Sequence, residues 1–245
     1  MPGASSSPGA ESTRARIVAT ATRLLAEGGQ ERISTRAVCE AAGIQAPTIY
    51  RLFSSMDGLL DAVAREGFLV HQRSYRSLEQ SDDPVADLRK GWDQHVAFGL
   101  ANPYLYAVMY GRADPSAPSY AAVTANEGLQ YAIHRVAEAG LLRVDELFAA
   151  LSMTAAGVGA TFTLLTVPEA DRSLDASVRM REGFIRSIVA ERPAAPGVGV
   201  VGAAAALNAL LGTTDVLHPA ERGLMHLWLD RLARPEGVDG DARTT

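Results

Sequence analysis

An all-α fold is what this sequence predicts, and three observations predict it. Apolar residues recur at helical spacing in one segment after another, no stretch alternates apolar and polar residues as a half-buried strand would, and capping residues, glycines and prolines fall where those segments would end. With 245 residues, 47% of them hydrophobic and 21% charged, the chain can bury a sizeable core, divided between a small N-terminal and a larger C-terminal helical domain.

Taken in order, residues 1–12 are mostly Ser, Gly, Ala and Pro without apolar periodicity and read as a disordered tail. A helix is predicted from Thr13, with Ile17, Ala21, Leu24 and Leu25 on one face and Gly28-Gly29 as its stop. Ser34 is a suitable N-cap for a short helix through Ala42, which Gly43 ends. A third helix fits Ala46 to Phe53, with Pro47 in the first turn, where its missing N–H costs little. Ser54 or Ser55 can cap a longer helix with Asp57 at its positive end and Leu59, Leu60 and Val63 inside.

Beyond Asp82-Asp83-Pro84 comes a helix bearing Leu88, Trp92, His95, Val96 and Gly99, which Asn102-Pro103 breaks before an aromatic-rich continuation from Tyr104 to Tyr110. Arg112 to Pro118 is a loop by composition, followed by helical patterns over about 120–139, 144–166 and 173–190. A Pro/Gly linker, Pro193 to Gly197, leads to two last helices, about 200–211 and 219–233. The expected organisation is a helix-turn-helix domain over 13–57, a second domain over 58–235 and a tail over 236–245.

The segment Ser34 to Phe53 has the build of a helix-turn-helix. Two short helices meet at Gly43, where a left-handed backbone would penalise a Cβ, and Val38, Ala42, Ile44, Ile49 and Phe53 lock them together. Gln45, Ala46, Thr48, Tyr50 and Arg51 remain on the outer face, and small residues near the start of the second helix let it enter a major groove. Gln45 can pair with an adenine edge, and Thr48 can touch a base or a phosphate. Thr35, Arg36 and Tyr50 are read as phosphate contacts that fix register. Pro47 and Ser55 complete the predicted DNA-binding set. On spacing alone, the same helices fit an ordinary helical bundle.

The run from Thr35 to Val63 resembles the N-terminal domain of the TetR family of bacterial regulators. Thr35, Ala41, Ala42, Gly43, Ile44, Thr48, Ile49, Tyr50, Phe53, Ser55, Asp57 and Leu59 follow that family's pattern in order and spacing. The resemblance implies a homodimer whose recognition helices enter successive major grooves of a palindromic operator. It also implies a variable C-terminal domain that responds to a ligand. Two positions depart from the pattern. Met56 stands where the family usually has a phosphate-reaching lysine, which removes about one ion-pair contact. Gln45 stands where a small hydroxyl residue is common; it caps a helix less well but reads bases better.

Past residue 58 no catalytic set is recognisable, so a non-enzyme without cofactor or metal is expected. His71, His95, His134, His218 and His226 lack ligand spacing. Trp92, His95, Phe98, Tyr106, Met109, Tyr110, Tyr131, His134 and Phe162 concentrate large amphipathic side chains, which fit either an ordinary core or a mostly apolar pocket with a few orienting polar groups. The family resemblance implies the pocket, and hence a small, mostly apolar effector. Small residues Ala155 and Gly159 beside Leu151 allow close helix approach, and Val178, Phe184, Ile185 and Ile188 form a stripe on the following helix. Two such helices per subunit would make a four-helix dimer interface, although both stripes can also pack within one subunit.

Gly197, Gly199 and Gly202 spell a dinucleotide-binding G-x-G-x-x-G, which keeps a nucleotide-cofactor enzyme as one alternative; that motif needs a preceding strand and a βαβ unit, and helices are predicted around it. A helical protein–protein adaptor that has lost DNA binding is another, made conceivable by Met56. The net charge of −5 excludes a protein that coats nucleic acid over its whole surface. Through Ser55 six arginines face four glutamates, so a mildly basic head precedes an acidic body. Cys39 is the only cysteine, so no intrachain disulfide forms, and a reducing, cytoplasmic home is expected. No basic segment leads into an apolar run near the N-terminus, and the longest weakly polar stretch, Val198 to Leu211, is too short to span a bilayer. The expected partners are therefore an operator duplex, a small effector and a second copy, with no membrane.

Overall fold

The structure, a computed structural model, describes residues 8–76, 78–111, 127–191, 200–213 and 216–233. Among these residues there is no β-strand; the one isolated bridge pairs Leu142 with Val189. The described residues form eleven α-helices, and the chain divides into two compact units: residues 1–77 with 94–126, and residues 78–93 with 127–245. The loop predicted over Arg112 to Pro118, the linker over Pro193 to Gly197 and the tail over 236–245 lie outside the described residues.

The first unit begins with α1 (Pro8–Gly28), α2 (Thr35–Ala42), α3 (Ala46–Phe53) and α4 (Met56–Arg76). Helix α1 takes in residues 8–12, which the sequence reading assigns to the tail: a proline suits a first helical turn, and Glu11 is favourable at the positive end. Ile17, Ala21 and Leu25 of α1, Val38 of α2, Ile49 of α3, and Leu59 and Val63 of α4 have no exposed surface and form one core. α6 (Pro103–Tyr110) packs on α4 and α1 and sends Val108 into that core. Gly29, at a φ of 72°, turns the chain out of α1 against the Tyr104 ring.

α5 (Pro84–Ala101) is capped by Asp83, whose Oδ1 accepts from the N–H groups of Val85 and Ala86 at 2.9 Å. The division between units falls within this helix, after Asp93. The second unit holds the start of α5 with α7 (Glu127–Glu138), α8 (Glu146–Leu165), α9 (Asp175–Ile188), α10 (Val200–Leu210) and α11 (Pro219–Ala233). Polar side chains tie it together. The Trp92 indole N–H donates to Ser177 Oγ at 2.9 Å, both residues being buried. Arg135 donates to Asp87 Oδ2 and to the Ser81 carbonyl, each at 2.5 Å. Arg89 reaches Glu182 at 3.0 Å, and Arg181 joins Glu182 to Asp93. Burial raises the Asp87 carboxyl's pKa, but the hydrogen bonds from Ser81, Lys90 and Arg135 outweigh it and hold the group well below the usual carboxylate range. Ala204, Leu211, Leu229 and Ala233 make a small core where α10 meets α11.

α8 corrects one expectation. At 20 residues it is longer than the Val198 to Leu211 stretch, and by length and composition alone it is apolar enough to cross a membrane. Ala149, Met153, Ala160 and Leu164 are buried within the second unit.

Candidate functional site

The helix-turn-helix is assembled by local chemistry. Ser34 Oγ accepts from Ala37 N at 3.1 Å and caps α2, and Gly43 closes it at φ 62° and ψ 43°, in the left-handed region. Val38, Ala42, Ile49 and Phe53 are buried as predicted, with Ile44 half-buried against them. The Arg14 guanidinium lies 4.8 Å from the Phe53 ring centre and ties α1 to the end of α3. Ser55, of the two serines proposed, caps α4: its Oγ accepts from Gly58 N at 3.0 Å and keeps its own O–H free to donate elsewhere. Met56 packs against the N-terminal core, which accounts for an apolar side chain at a position where a charge would have to reach outward.

The outward face of α3 carries the predicted residues. Gln45, Pro47 and Arg51 are exposed, Tyr50 is 53% exposed, and Ala46 and Thr48 are half-buried. Arg36 is exposed at the start of α2, beside half-buried Thr35. Gln45 occupies the N-cap position of α3 without a side-chain capping bond.

Of the nine residues proposed to line a pocket, the structure brings only some together. In the first unit, His95 Nε2 lies 2.7 Å from the Tyr106 hydroxyl, and the rings of His95, Tyr106 and Tyr110 are in mutual contact at 4.6–5.7 Å between centroids. Phe98 and Met109 are buried in the same unit. The sequence reading missed two further members, His71 and Tyr75. The His71 ring is 5.2 Å from His95, 4.7 Å from Phe98 and 5.9 Å from Tyr75, and its Nε2 is buried without a hydrogen-bond partner. The i, i+4 ladder of Leu59, Val63, Gly67, His71 and Tyr75 on the inner face of α4 is the signal that marks them. Burial lowers the pKa of His71 to about 4; burial and the facing His71 lower that of His95 to about 3. Both rings are therefore neutral near pH 7. Burial likewise pushes the Tyr75 and Tyr110 phenols up, so these too stay uncharged.

The remaining proposed residues belong to the second unit and do other work. Trp92 is engaged with Ser177, and Tyr131 is 51% exposed, its hydroxyl 3.4 Å from Gln80. His134 is half-buried beside Glu146 at 3.3 Å, and Phe162 is half-buried. Helical spacing places aromatics on faces but does not say which faces meet. A cavity of about 270 Å³ in that unit, lined by residues that include Glu146, Asn208 and Asp230, shares none of the nine.

The proposed dimer face also divides. Leu151, Ala155 and Gly159 lie exposed on one side of α8, where a Cβ on Gly159 would meet nothing within 4 Å; Val178 is exposed on α9 and Phe184 half-buried. Ile185 and Ile188 are only 2% and 1% exposed in the single chain. They are core, because the chain end of α9 is drawn inward where Arg143 N and Ala190 N donate to the Ile188 and Leu141 carbonyls across the bridge. Gly202 of the G-x-G-x-x-G lies inside α10, which starts at Val200, while Gly197 and Gly199 lie outside the described residues; among the described residues no strand is present.

Residues 17–63 match the sequence profile of the bacterial regulatory proteins of the tetR family. The N-terminal domain is that of the TetR family. Solved structures extend the likeness of fold beyond it. RolR, in complex with its ligand resorcinol, is 19% identical and superimposes with a TM-score of 0.62 over 75% of this chain and 90% of its own. A TetR-family transcriptional regulator from Pectobacterium atrosepticum is 20% identical, with a TM-score of 0.61 over 77% of this chain and all of its own, 100%. A TetR variant from Acinetobacter baumannii, in complex with minocycline, is 21% identical, with a TM-score of 0.51 over 69% and 90% of the two chains. No curated protein matches the chain by sequence. TetR-type architecture is thus a helix-turn-helix followed by a larger helical region, and this chain has both.

Proposed function

We propose that the protein is a DNA-binding transcription regulator, acting as a repressor in the cytoplasm, that binds a palindromic operator as a homodimer and leaves it when a small molecule binds residues beyond the helix-turn-helix. The observation that carries the reading is the outward face of α3: Gln45, Pro47, Tyr50 and Arg51 face solvent while Ile49 and Phe53 anchor the helix from behind. A groove-reading helix needs that division, with phosphate contacts from Thr35, Arg36 and Ser55 fixing its register. RolR and the Acinetobacter TetR variant, with their bound ligands, support the ligand-responsive half of the proposal, and the exposed Leu151, Ala155 and Gly159 face supports the dimer. Release follows if the ligand favours a dimer whose recognition helices are no longer about 34 Å apart, by a preference of several kcal/mol.

A gel shift with the DNA flanking its coding region tests this reading. Wild type should retard the DNA at low salt, and Thr48→Ala and Tyr50→Phe should weaken the complex with the melting temperature unchanged. No retardation at low salt would favour a helical adaptor without DNA binding.

A further inference from the structure

We infer that Arg14, on α1, is a further DNA contact: its guanidinium donates to a backbone phosphate beside the end of α3 and so helps to position the reading helix. This rests on the assignment of α3 as that helix and adds to it a residue from outside the helix-turn-helix. Three observations carry it.

First, α3 itself holds the Arg14 guanidinium at its end. The group lies 4.8 Å from the centre of the Phe53 ring, and Phe53 is the last residue of α3, two positions before Ser55. Second, its hydrogen-bond donors are free. Arg14 is exposed, and attraction to a ring face uses none of a guanidinium's N–H groups. Among the described residues it has no ion-pair or hydrogen-bond partner, although Glu11 stands about one turn before it; Arg23 on the same helix is paired with Glu27 at 2.7 Å. Third, the first turn of α4 brings no cation to this place. It holds Met56, which packs against the N-terminal core, and the acidic Asp57. A phosphate approaching Ser55 therefore needs a positive side chain from another element. A guanidinium already held over a ring gives up little freedom when it closes on phosphate oxygens.

The test measures retardation of the duplex flanking the coding region by the full chain, at salt concentrations from about 50 to about 200 mM. Each phosphate contact contributes about 0.9 to the fall of log affinity with log salt, and a dimer carries two copies of Arg14. Arg14→Gln should therefore flatten that slope by about two, so that its deficit against wild type is about tenfold larger at the low-salt end than at the high-salt end. Arg14→Lys, which keeps the charge, should restore the wild-type slope. Arg16→Gln, two residues on and on another face of α1, should leave the slope unchanged. Thermal melting of the same variants separates contact from packing. A role confined to packing on Phe53 would lower the melting temperature of Arg14→Gln and keep its salt slope at the wild-type value. That result, an equal flattening by Arg16→Gln, or a slope that Arg14→Lys does not restore would each overturn the inference. DNA retarded by wild type with a slope insensitive to Arg14 removes this contact alone; no retardation by wild type at low salt removes the assignment of α3 as well.

Discussion

Gly58, in the first turn of α4, lies so close to the Phe53 carbonyl at the end of α3 that an ideal Cβ on it would overlap the oxygen. The approach sets how far the recognition helix stands from its support. Gly58→Ala cannot relieve the overlap by changing a rotamer, because the obstacle is backbone. Overpacking of about 1–3 kcal/mol should exceed the gain of about 1 kcal/mol in helix propensity. Thermal denaturation should show a melting point lowered by several degrees, with weaker DNA retardation.

Gly43 presents the opposite case. Nothing lies within 4 Å of where its Cβ would be, so only the left-handed backbone opposes a side chain. Gly43→Ala should cost about 1–2 kcal/mol by denaturant titration, and Gly43→Asn distinctly less.

The buried histidines predict an acid limb. Their pKa values in the folded chain, about 4 for His71 and about 3 for His95, lie below the usual 6.5, so the unfolded chain binds the extra protons. Stability should therefore be flat above about pH 6.5 and fall toward pH 4, with each histidine contributing a slope on the order of 1.4 kcal/mol per pH unit. Asp87 and Glu182, held below the ordinary carboxylate range, add their losses only under about pH 4. Urea titrations from pH 7.5 to 4.5 check the first window, where His71→Phe should roughly halve the slope.

Much of this was legible in the sequence, and the limits have physical causes. The helix-turn-helix could be read nearly to the residue because its determinants are local: a serine cap, a glycine stop, a first-turn proline and a short apolar ladder. The role of Gly58 was not legible, since it depends on a carbonyl from another helix. His71 was missed: its i, i+4 spacing from Val63 and Gly67 could have marked it as an inner position of α4, but not as a neighbour of His95, which requires knowing that α4 and the later part of α5 meet. Ile185 and Ile188 joined the stripe of Val178 because periodicity assigns a face without saying what covers it.

That last distinction yields a paired prediction. Ile185→Ala removes buried side chain from the second unit and should cost about 2–5 kcal/mol. Leu151→Arg alters a residue that is 42% exposed, so it should leave the melting of the isolated chain nearly unchanged while shifting sedimentation from dimer toward monomer. A dimer that persists in Leu151→Arg would place the interface elsewhere.

Selection of DNA from a random pool by the full chain tests the central claim most directly. The account predicts enrichment of an inverted repeat whose half-sites are centred about one helical turn, ~34 Å, apart. It also predicts that a chain carrying Thr48→Ala and Tyr50→Ala fails to enrich that repeat while retaining its helix content. A pool that stays random with wild type, or the same repeat enriched equally by the double variant, would contradict the assignment of α3 as the reading helix.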